Sequence, residues 1–475
     1  MIKLIKNELY KVFHKKLIYI VLIIAIAGTL FTSVVDKVLT SSIDEIDINI
    51  YRQSVKTLEE EGATGDESYA ELKTSLAVAE LKNQKNIKAG STEDYYIIET
   101  IRPLYRSYYT YLYVENVKDE NRANEIKEEL DPLIATLDNF DWKEYINKNI
   151  NEVNESMKID CEDEKNSQCL IDKATIKTLQ YRLDNNIPLA FNSANSTLET
   201  YTSSYDKYIK NLDKKDEILN HEELYNKREV ERNIKETEYL MEHKILTNDY
   251  NDHDTGSSFV SKFADPSFMA LIVLITLSAS ILAEEFNKGT IKQLLVKPFS
   301  RTKILISKYI AVIIASIIFL FALNISTTII TGLFEGDLNT IFNNTVLFNY
   351  NTHSCFEMNN IIYALYTFLY ALPQIILLAL FVFALSVLLT NTAFSLGMGF
   401  GAYVSSDLFM VFMNRFKFLS YMPTVNYNLT PYMFGGINRV AELTLTKAII
   451  VDVVSFVVLT ILSIIVFKKK DIKNQ

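Results

Sequence analysis

The sequence lacks the short motifs that mark common nucleotide-binding and catalytic sites. None of its 13 glycines is followed by lysine, so the GxxxxGK[ST] loop that holds nucleotide phosphates is absent. Its five histidines neither cluster nor occur in an HExxH motif, so a zinc hydrolase is not indicated and no metal site is predicted. We therefore expect a chain that is not itself an enzyme.

Excess positive charge is also lacking. The formal net charge is −10 at pH 7, whereas proteins that bind nucleic acid carry clustered Lys and Arg that neutralise phosphates. This balance argues against nucleic acid as a partner. The negative charge is concentrated in residues 36–265, which hold 29 basic and 48 acidic residues, so that the rest of the chain carries a net charge of +9.

Long apolar runs are abundant, and hydrophobic residues make up 49% of the chain. A helix needs about 20 residues to cross the roughly 30 Å hydrocarbon core of a bilayer. Six runs approach this length and are predicted to be membrane helices: 17–35, 267–283, 309–332, 361–390, 394–413 and 447–467. The first run has no Ala-x-Ala cleavage site after it, so we interpret it as a retained anchor.

Basic residues near the span ends predict the orientation, because loops rich in Lys and Arg stay in the cytoplasm. Six spans would put three basic groups on one side: Lys3, Lys6, Lys11, Lys15 and Lys16; Lys288, Lys292, Lys297, Arg301, Lys303 and Lys308; and Lys468, Lys469 and Lys470. We expect a multi-pass protein of the cell membrane, with both termini and the loop 284–308 in the cytoplasm. The membrane domain is then 266–475, and residues 36–265 are extracellular.

The predicted outer segment, residues 36–265, is too long for an unstructured loop and is interpreted as a domain. Hydrophobic residues recur at three- and four-residue steps among Glu and Lys over 208–246, which predicts a long amphipathic helix. Two more helical stretches are predicted at 43–88 and 96–137. The expected fold class is mainly α: a six-helix polytopic membrane protein with an α-helical extracellular domain.

Only three cysteines are present. Cys161 and Cys169 are eight positions apart in the segment predicted to be outside, where an oxidising environment permits a disulfide bond. Their spacing leaves two alternatives open, a local disulfide or two free thiols. A metal site is the weaker interpretation because neither His nor a further Cys accompanies them.

Residues 1–16, MIKLIKNELYKVFHKK, combine an apolar stripe with a basic face. The apolar positions on one side of a helix are Ile2, Ile5, Leu9, Val12 and Phe13. This pattern predicts an amphipathic helix that lies in the cytoplasmic interface before the first span. The alternative is a basic flank that only sets the topology.

The stretch EEFNKGTIKQLLVKPFSRTKILISKY, residues 284–309, separates the second and third predicted spans. Gly289 is expected to break the preceding helix, Pro298 to end a short amphipathic helix, and Ser300 to cap the next one. Such a short helix at the membrane surface is suited to docking on a partner. The residues expected to form or frame this contact are Glu284, Glu285, Gly289, Thr290, Ile291, Leu294, Leu295, Pro298 and Arg301.

This order of acidic residues, Gly-Thr, apolar positions, Pro and Ser-Arg resembles the loop between the second and third helices of type-2 ABC transporter permeases. In that family a coupling helix in the loop contacts the ATPase subunit. The basic interfacial helix, the six spans and the large insertion after the first span are similar to permeases of low-GC Gram-positive bacteria. The resemblance implies a separate cytoplasmic ABC ATPase that binds ATP and Mg²⁺, no cofactor on this chain, and a homodimer or heterodimer of permeases.

Polar side chains inside the predicted spans are a further group of candidates, because ionisable groups in hydrocarbon are costly and tend to face a bundle interior or a cavity. Asp407 lies within the fifth run and Asp452 near the outer end of the sixth, while Asn324 and Gln374 are uncharged cases. For Asp407 a pathway or packing role and a place among the outer headgroups remain open. For Asp452 the headgroup position is favoured.

Two functions from different classes remain. The first is the membrane subunit of an ATP-driven ABC exporter that moves an amphipathic compound, a peptide or an antibiotic-like molecule. The second is a non-transporting sensor or surface receptor with a helical extracellular domain. A neighbouring ATPase reading frame would favour the exporter, and a neighbouring kinase and regulator the sensor.

Overall fold

A computed structural model describes residues 1–40, 43–161, 167–208, 218–251, 255–264, 268–291, 299–335, 338–413 and 415–470. The described residues are mainly helical, as the sequence predicts. They also contain a two-stranded antiparallel hairpin, which the sequence analysis did not predict.

Between residues 2 and 264 the described α-helices are α1 (Ile2–Phe13), α2 (Lys16–Thr40), α3 (Ile43–Glu61), α4 (Glu67–Lys85), α5 (Thr92–Tyr96), α6 (Arg102–Tyr113), α7 (Glu120–Thr136), α8 (Trp142–Asp160), α9 (Ser167–Asn185), α10 (Ser193–Tyr208), α11 (His221–Glu242) and α12 (Thr255–Ala264). A π-helical segment, Ile97–Ile101, joins α5 to α6, and a 3-10 turn, Leu137–Asn139, follows α7.

The remaining elements are α13 (Phe268–Asn287), α14 (Arg301–Glu335), β1 (Asn344–Asn349), β2 (Ser354–Asn359), α15 (Asn360–Leu389), α16 (Thr392–Phe412), α17 (Pro423–Asn426) and α18 (Leu445–Lys469). Three 3-10 segments, Leu338–Phe342, Lys417–Tyr421 and Thr430–Gly435, connect them.

The chain divides into two compact units. Unit 1 comprises Met1–Val34, Lys214–Glu229 and His253–Gln475, and unit 2 comprises Val35–Asp213 and Val230–Asp252. The segment predicted as an outer domain, 36–265, therefore contains residues that belong to unit 1. Among them is α12, whose Val260 and Phe263 are buried in the apolar core of unit 1.

In unit 2 the helical stretch predicted over 43–88 is two helices. Gly62 adopts a left-handed conformation, φ +72°, just after α3 ends. Asp66 then caps α4 by accepting a hydrogen bond from the backbone N–H of Tyr69. The sequence GATGD between the two helices is thus a turn, which the hydrophobic pattern alone did not separate.

A small core holds part of unit 2 together. Its buried side chains come from α4, the end of α5, the π-helical segment, α7 and the turn after α7: Val78, Leu81, Tyr96, Ile97, Ile101, Leu130 and Leu137. Tyr96 is 4% exposed and packs against the rings of Phe140 and Tyr145.

The amphipathic helix predicted over 208–246 is shorter in the structure, where α11 covers His221–Glu242. Residues 209–217 of the predicted helix lie outside the described part of the chain.

The core of unit 1 is built from apolar helices. Among the described residues, four helical segments are long and apolar enough to cross a membrane: Ala270–Asn287, Arg301–Leu333, Asn360–Leu389 and Leu445–Lys469. The first is mostly buried by the others, whereas α18 exposes most of its apolar residues. An apolar helix with an exposed apolar face is what a lipid environment accommodates.

Two further predicted spans have a less definite status. The segments Ile2–Phe13 and Ile18–Thr32 are bent by 55° and would together form a fifth span. The helix α16 covers the predicted run 394–413, but it is not among the four helical segments above. The six-span count therefore remains a prediction.

The hairpin of β1 and β2 pairs Asn344 with Asn359 and Asn349 with Ser354. It lies between the end of α14 and the start of α15, and we call this end of unit 1 the hairpin end. We call the opposite end, where α13 and α15 finish and α14 begins, the loop end. At the hairpin end, Phe434 from the connection between α16 and α18 stacks on Tyr366 of α15.

Candidate functional site

The loop end of unit 1 contains a group of charges from three helices, with Glu8 and Lys308 buried and Lys11 partly exposed. Lys308 of α14 is fully buried, and its Nζ lies 2.6 Å from Oε2 of Glu8 in α1 and 2.8 Å from Oε2 of Glu285 in α13. Lys11 Nζ lies 2.9 Å from a carboxylate oxygen of each of the same two glutamates. We call these four residues the loop-end ion network.

The network is electrically balanced, with two carboxylates and two ammonium groups. The Nζ of Lys308 donates a hydrogen bond to Glu8, while its approach to Oε2 of Glu285 is an ion pair without hydrogen-bond geometry. Burying a charge is very costly unless it is paired, so each member depends on the others. The network therefore fixes α1 against α13 and α14.

A second set of contacts ties the start of α2 to the same end of α13. Lys15 Nζ donates to the backbone carbonyl of Ser280 at 3.0 Å and lies 3.4 Å from Oε2 of Glu284. Lys288 approaches the same carboxylate oxygen at 3.4 Å. The amphipathic N-terminal helix and the bend after it are thus both held by the end of α13.

Basic residues also cap the C-terminal ends of α18 and α15 at the loop end. The guanidinium of Arg301 donates to the carbonyl oxygens of Lys468 and Lys470, at 3.0 and 3.2 Å. The Nζ of Lys470 donates to the carbonyls of Val387 and Leu388 at the end of α15. These cations satisfy carbonyl groups that lack an intrahelical partner and complement the negative helix ends.

The residues predicted to form or frame a partner contact have different surroundings. Glu285 is held in the ion network, and Ile291 is 1% exposed and belongs to the core of unit 1. Their role in a contact with an ATPase stays a prediction. Gly289 does end the helix in a left-handed conformation, φ +68°, and Thr290 is exposed. The predicted residues Leu294, Leu295 and Pro298 lie outside the described residues.

The polar residues of the predicted spans have different surroundings. Asn324 is 1% exposed and donates to the carbonyl of Lys262 at 3.0 Å, so it joins α14 to α12. Gln374 is 3% exposed, and its Oε1 has no hydrogen-bond partner among the described residues. The backbone of Asp407 lies in α16, and its side chain is outside the described part.

Asp452 differs from its expected place among headgroups. It is 7% exposed, and neither carboxylate oxygen has a hydrogen-bond partner among the described residues. The sequence position near the start of α18 suggested a water-exposed end. The short helix α17 packs against α18 at this end of the bundle.

Cys161 and Cys169 of unit 2 form a disulfide bond, the first of the two alternatives left by their spacing. It links the end of α8 to the first turn of α9. Cys355 lies in β2. No group of three or more His, Cys, Asp or Glu side chains with metal-site geometry occurs in the described ranges.

Lys11 and Lys308 were predicted only as charges that set the topology, and Glu8 was not singled out from the sequence. Two signals were available. Glu8 is an acidic residue within an otherwise basic amphipathic helix, and Lys308 stands directly before a long apolar run. A charge in either position needs a partner once the helix is buried.

Comparison with known proteins identifies a family but no activity. Residues 236–473 match a family model described as "Protein of unknown function (DUF2705)". The chain is 29% identical over 258 residues to the uncharacterized protein YhcI of Bacillus subtilis strain 168, a match that covers 52% of this chain and 82% of that protein. No solved structure matches. Because the family model covers half of the sequence, the chain belongs to the DUF2705 family.

Proposed function

We propose that this chain is the membrane-spanning subunit of an ATP-driven ABC exporter, with ATP hydrolysed by a separate cytoplasmic subunit. In this proposal α2 and α16 complete a set of six spans, and both termini and the loop end face the cytoplasm. The observation that carries the proposal is the loop-end ion network. It joins the N-terminal amphipathic helix to both helices that flank the loop 288–300.

The network suits the transmission of force from a partner. A motor that pushes on the loop moves α13 and α14, which enter and leave it. Because Glu8 and Lys11 are bound to Glu285 and Lys308, α1 moves with them as one body. Separating these helices would strand charges in an apolar interior, which costs several kcal/mol.

The proposed substrate and assembly rest on the resemblance of the sequence to type-2 ABC transporter permeases. An amphipathic compound, a peptide or an antibiotic-like molecule is the proposed substrate class. The exposed apolar residues of α18, such as Ile450 and Val453, would face lipid or a second permease. A homodimer or heterodimer of permeases, each bound to one ATPase, is the proposed assembly.

The test is purification of the tagged protein in mild detergent, followed by identification of the proteins that co-purify. We expect a P-loop ATPase, and we expect Leu294→Glu to lose it because the substitution places a carboxylate on the apolar side of the short helix that the sequence predicts in the loop. Leu294→Met at equal membrane abundance is the matched control and should retain the ATPase. Recovery of a sensor kinase in place of an ATPase would support the receptor function.

The orientation is tested separately in a cysteine-free background. A membrane-impermeant thiol reagent should label Lys118→Cys in intact cells and should label Thr290→Cys only after the membrane is opened. Labelling of Thr290→Cys in intact cells would overturn the orientation, whatever protein co-purifies.

A further inference from the structure

The carboxyl group of Asp452 is isolated within unit 1. Asp452 lies one helical turn after the fully buried Ala448, on the side of α18 that packs against α15 and α17. Neither of its oxygens accepts a hydrogen bond from any described residue. Lys447, the nearest lysine on the same helix, donates instead to Ser420 and to the carbonyl of Glu442.

The short helix α17, which packs against α18, carries polar side chains whose oxygens lack a partner among the described residues. Asn426 of α17 is 2% exposed, and its amide nitrogen donates to the carbonyls of Ser420 and Met422, both at 2.8 Å. Its Oδ1 is thereby turned away from these carbonyls and has no partner among the described residues. Thr424 on the same short helix also has an unpartnered hydroxyl oxygen within the described ranges.

The segment that carries these groups is irregular backbone against the helices. Its Leu429 N–H donates to the carbonyl of Tyr370, one turn before Gln374, whose Oε1 is a further unpartnered acceptor among the described residues. Within a membrane protein, irregular backbone is tolerated where it is buried in protein or lines a cavity, and such sites commonly coordinate ions.

The other titratable groups described on α15 and on the segment 430–435 do not supply a positive charge, and the cations of α14, which also packs against α18, lie at the loop end. On α15 and the segment 430–435 they are Tyr363, Tyr366, Tyr370 and Tyr432. Burial raises the pKa of Tyr432 to about 12, and the charge of Asp452 adds to this rise, so that Tyr432 remains a neutral hydroxyl. The short helix α17 has no titratable side chain.

We propose that Asp452, together with the oxygens of Asn426 and Thr424 on the adjoining helix α17, binds a single small cation, either a proton or an alkali metal ion. A buried carboxylate without a partner is strongly unfavourable, and a positive charge on oxygen ligands removes that cost. The site lies at the hairpin end of the bundle and does not depend on the ATPase partner or on the loop end.

The metal arm of the test measures thermal unfolding of the purified full-length protein at pH 8 in chloride salts of Na⁺, K⁺ or N-methyl-D-glucamine. If an alkali ion binds, one of the two metals should raise the midpoint by at least about 2 °C over the organic cation. Asp452→Asn should abolish the difference, and Asn426→Leu should reduce it. Asp249→Asn, which changes an exposed carboxylate, is the control and should leave it intact.

The proton arm uses infrared difference spectra of the same protein between pH 6 and pH 9. If a proton is the bound cation, wild-type protein should show the carbonyl stretch of a protonated carboxylic acid at neutral pH, and Asp452→Asn should lack that band. A metal response or this band, lost in Asp452→Asn, supports the site. Wild-type protein with neither signal would overturn the proposal, without bearing on whether an ATPase binds at the loop end.

Discussion

Charged side chains are buried in two places in unit 1, and the two places differ in whether the charges are paired. At the loop end Glu8, Lys11, Glu285 and Lys308 neutralise one another across three helices. At the hairpin end Asp452 has no partner among the described residues. A saturated network resists change, whereas an unpartnered carboxylate is open to a ligand.

The comparison assigns different roles to charges that look alike in sequence. A paired buried charge is costly to break, because removing one partner strands the other. An unpaired buried charge is costly to keep, so its removal leaves the fold intact or improves it. In the functions proposed above, the loop end would transmit force and Asp452 would bind a cation.

The largest effect is expected for Lys308→Met, which leaves Glu8 and Glu285 buried beside Lys11 alone. We expect a loss of about 3–5 kcal/mol of stability. The measurement is the temperature at which half of the detergent-solubilised protein leaves the monodisperse peak. Lys303→Met is the control, because Lys303 is exposed on the same helix and should cost far less. Equal losses in the two variants would contradict a paired network.

The pairing itself is tested by combining Lys308→Met with Glu8→Gln. Glu8→Gln alone should cost less than Lys308→Met, because the amide oxygen still accepts a hydrogen bond. The double variant should be more stable than the sum of the two single losses predicts, by about 0.5–3 kcal/mol, since both remove the same ion pair. Strict additivity would show that Glu8 and Lys308 do not interact.

The sequence predicted well what depends on local composition. The apolar runs 267–283, 361–390 and 447–467 lie within a few residues of the ends of α13, α15 and α18, because the length of an apolar run is a property of the run itself. Gly289 and Ser300 were also placed correctly, since breaking and capping a helix act within one turn. Ser300 accepts a hydrogen bond from the backbone N–H of Lys303.

The sequence did not predict what depends on distant partners. Glu8 and Lys308 are 300 residues apart, and no local pattern says that they meet. The same holds for Asp452, which is buried although it lies near the start of its helix, and for Ile291, which belongs to the core. The hairpin was missed because its strands are short and rich in Asn, which is uncommon in strands.

Destabilising unit 2 tests whether ATPase binding and the cation response of unit 1 depend on unit 2. Replacing both Cys161 and Cys169 by Ser removes the disulfide and should lower the stability of unit 2 by about 2–3 kcal/mol in the chain-entropy account. Faster limited proteolysis after residue 161 is the measurement. The double-serine variant should keep its cation response and its ATPase; loss of either would mean that unit 2 controls that site.

A smaller effect is expected for Arg301→Gln. The variant loses the two hydrogen bonds from a charged donor to the carbonyls of Lys468 and Lys470, which should cost about 1 kcal/mol because the site is partly exposed. Lys303→Gln, which removes a charge without such bonds, is the control. A cost above that of Lys308→Met would place the mechanical centre at Arg301 and not at the ion network.

The smallest effect on stability, and the sharpest contrast with Lys308, is expected for Asp452→Leu. Leucine carries no charge and needs no hydrogen bond, so basal stability should be unchanged or slightly higher. The cation response, or the protonated-carboxyl band, should disappear at the same time. Asp452→Asn should lose the same signals while keeping a polar side chain. If Asp452→Leu unfolds as readily as Lys308→Met, then Asp452 has a structural partner, and the two ends of unit 1 bury their charges in the same way.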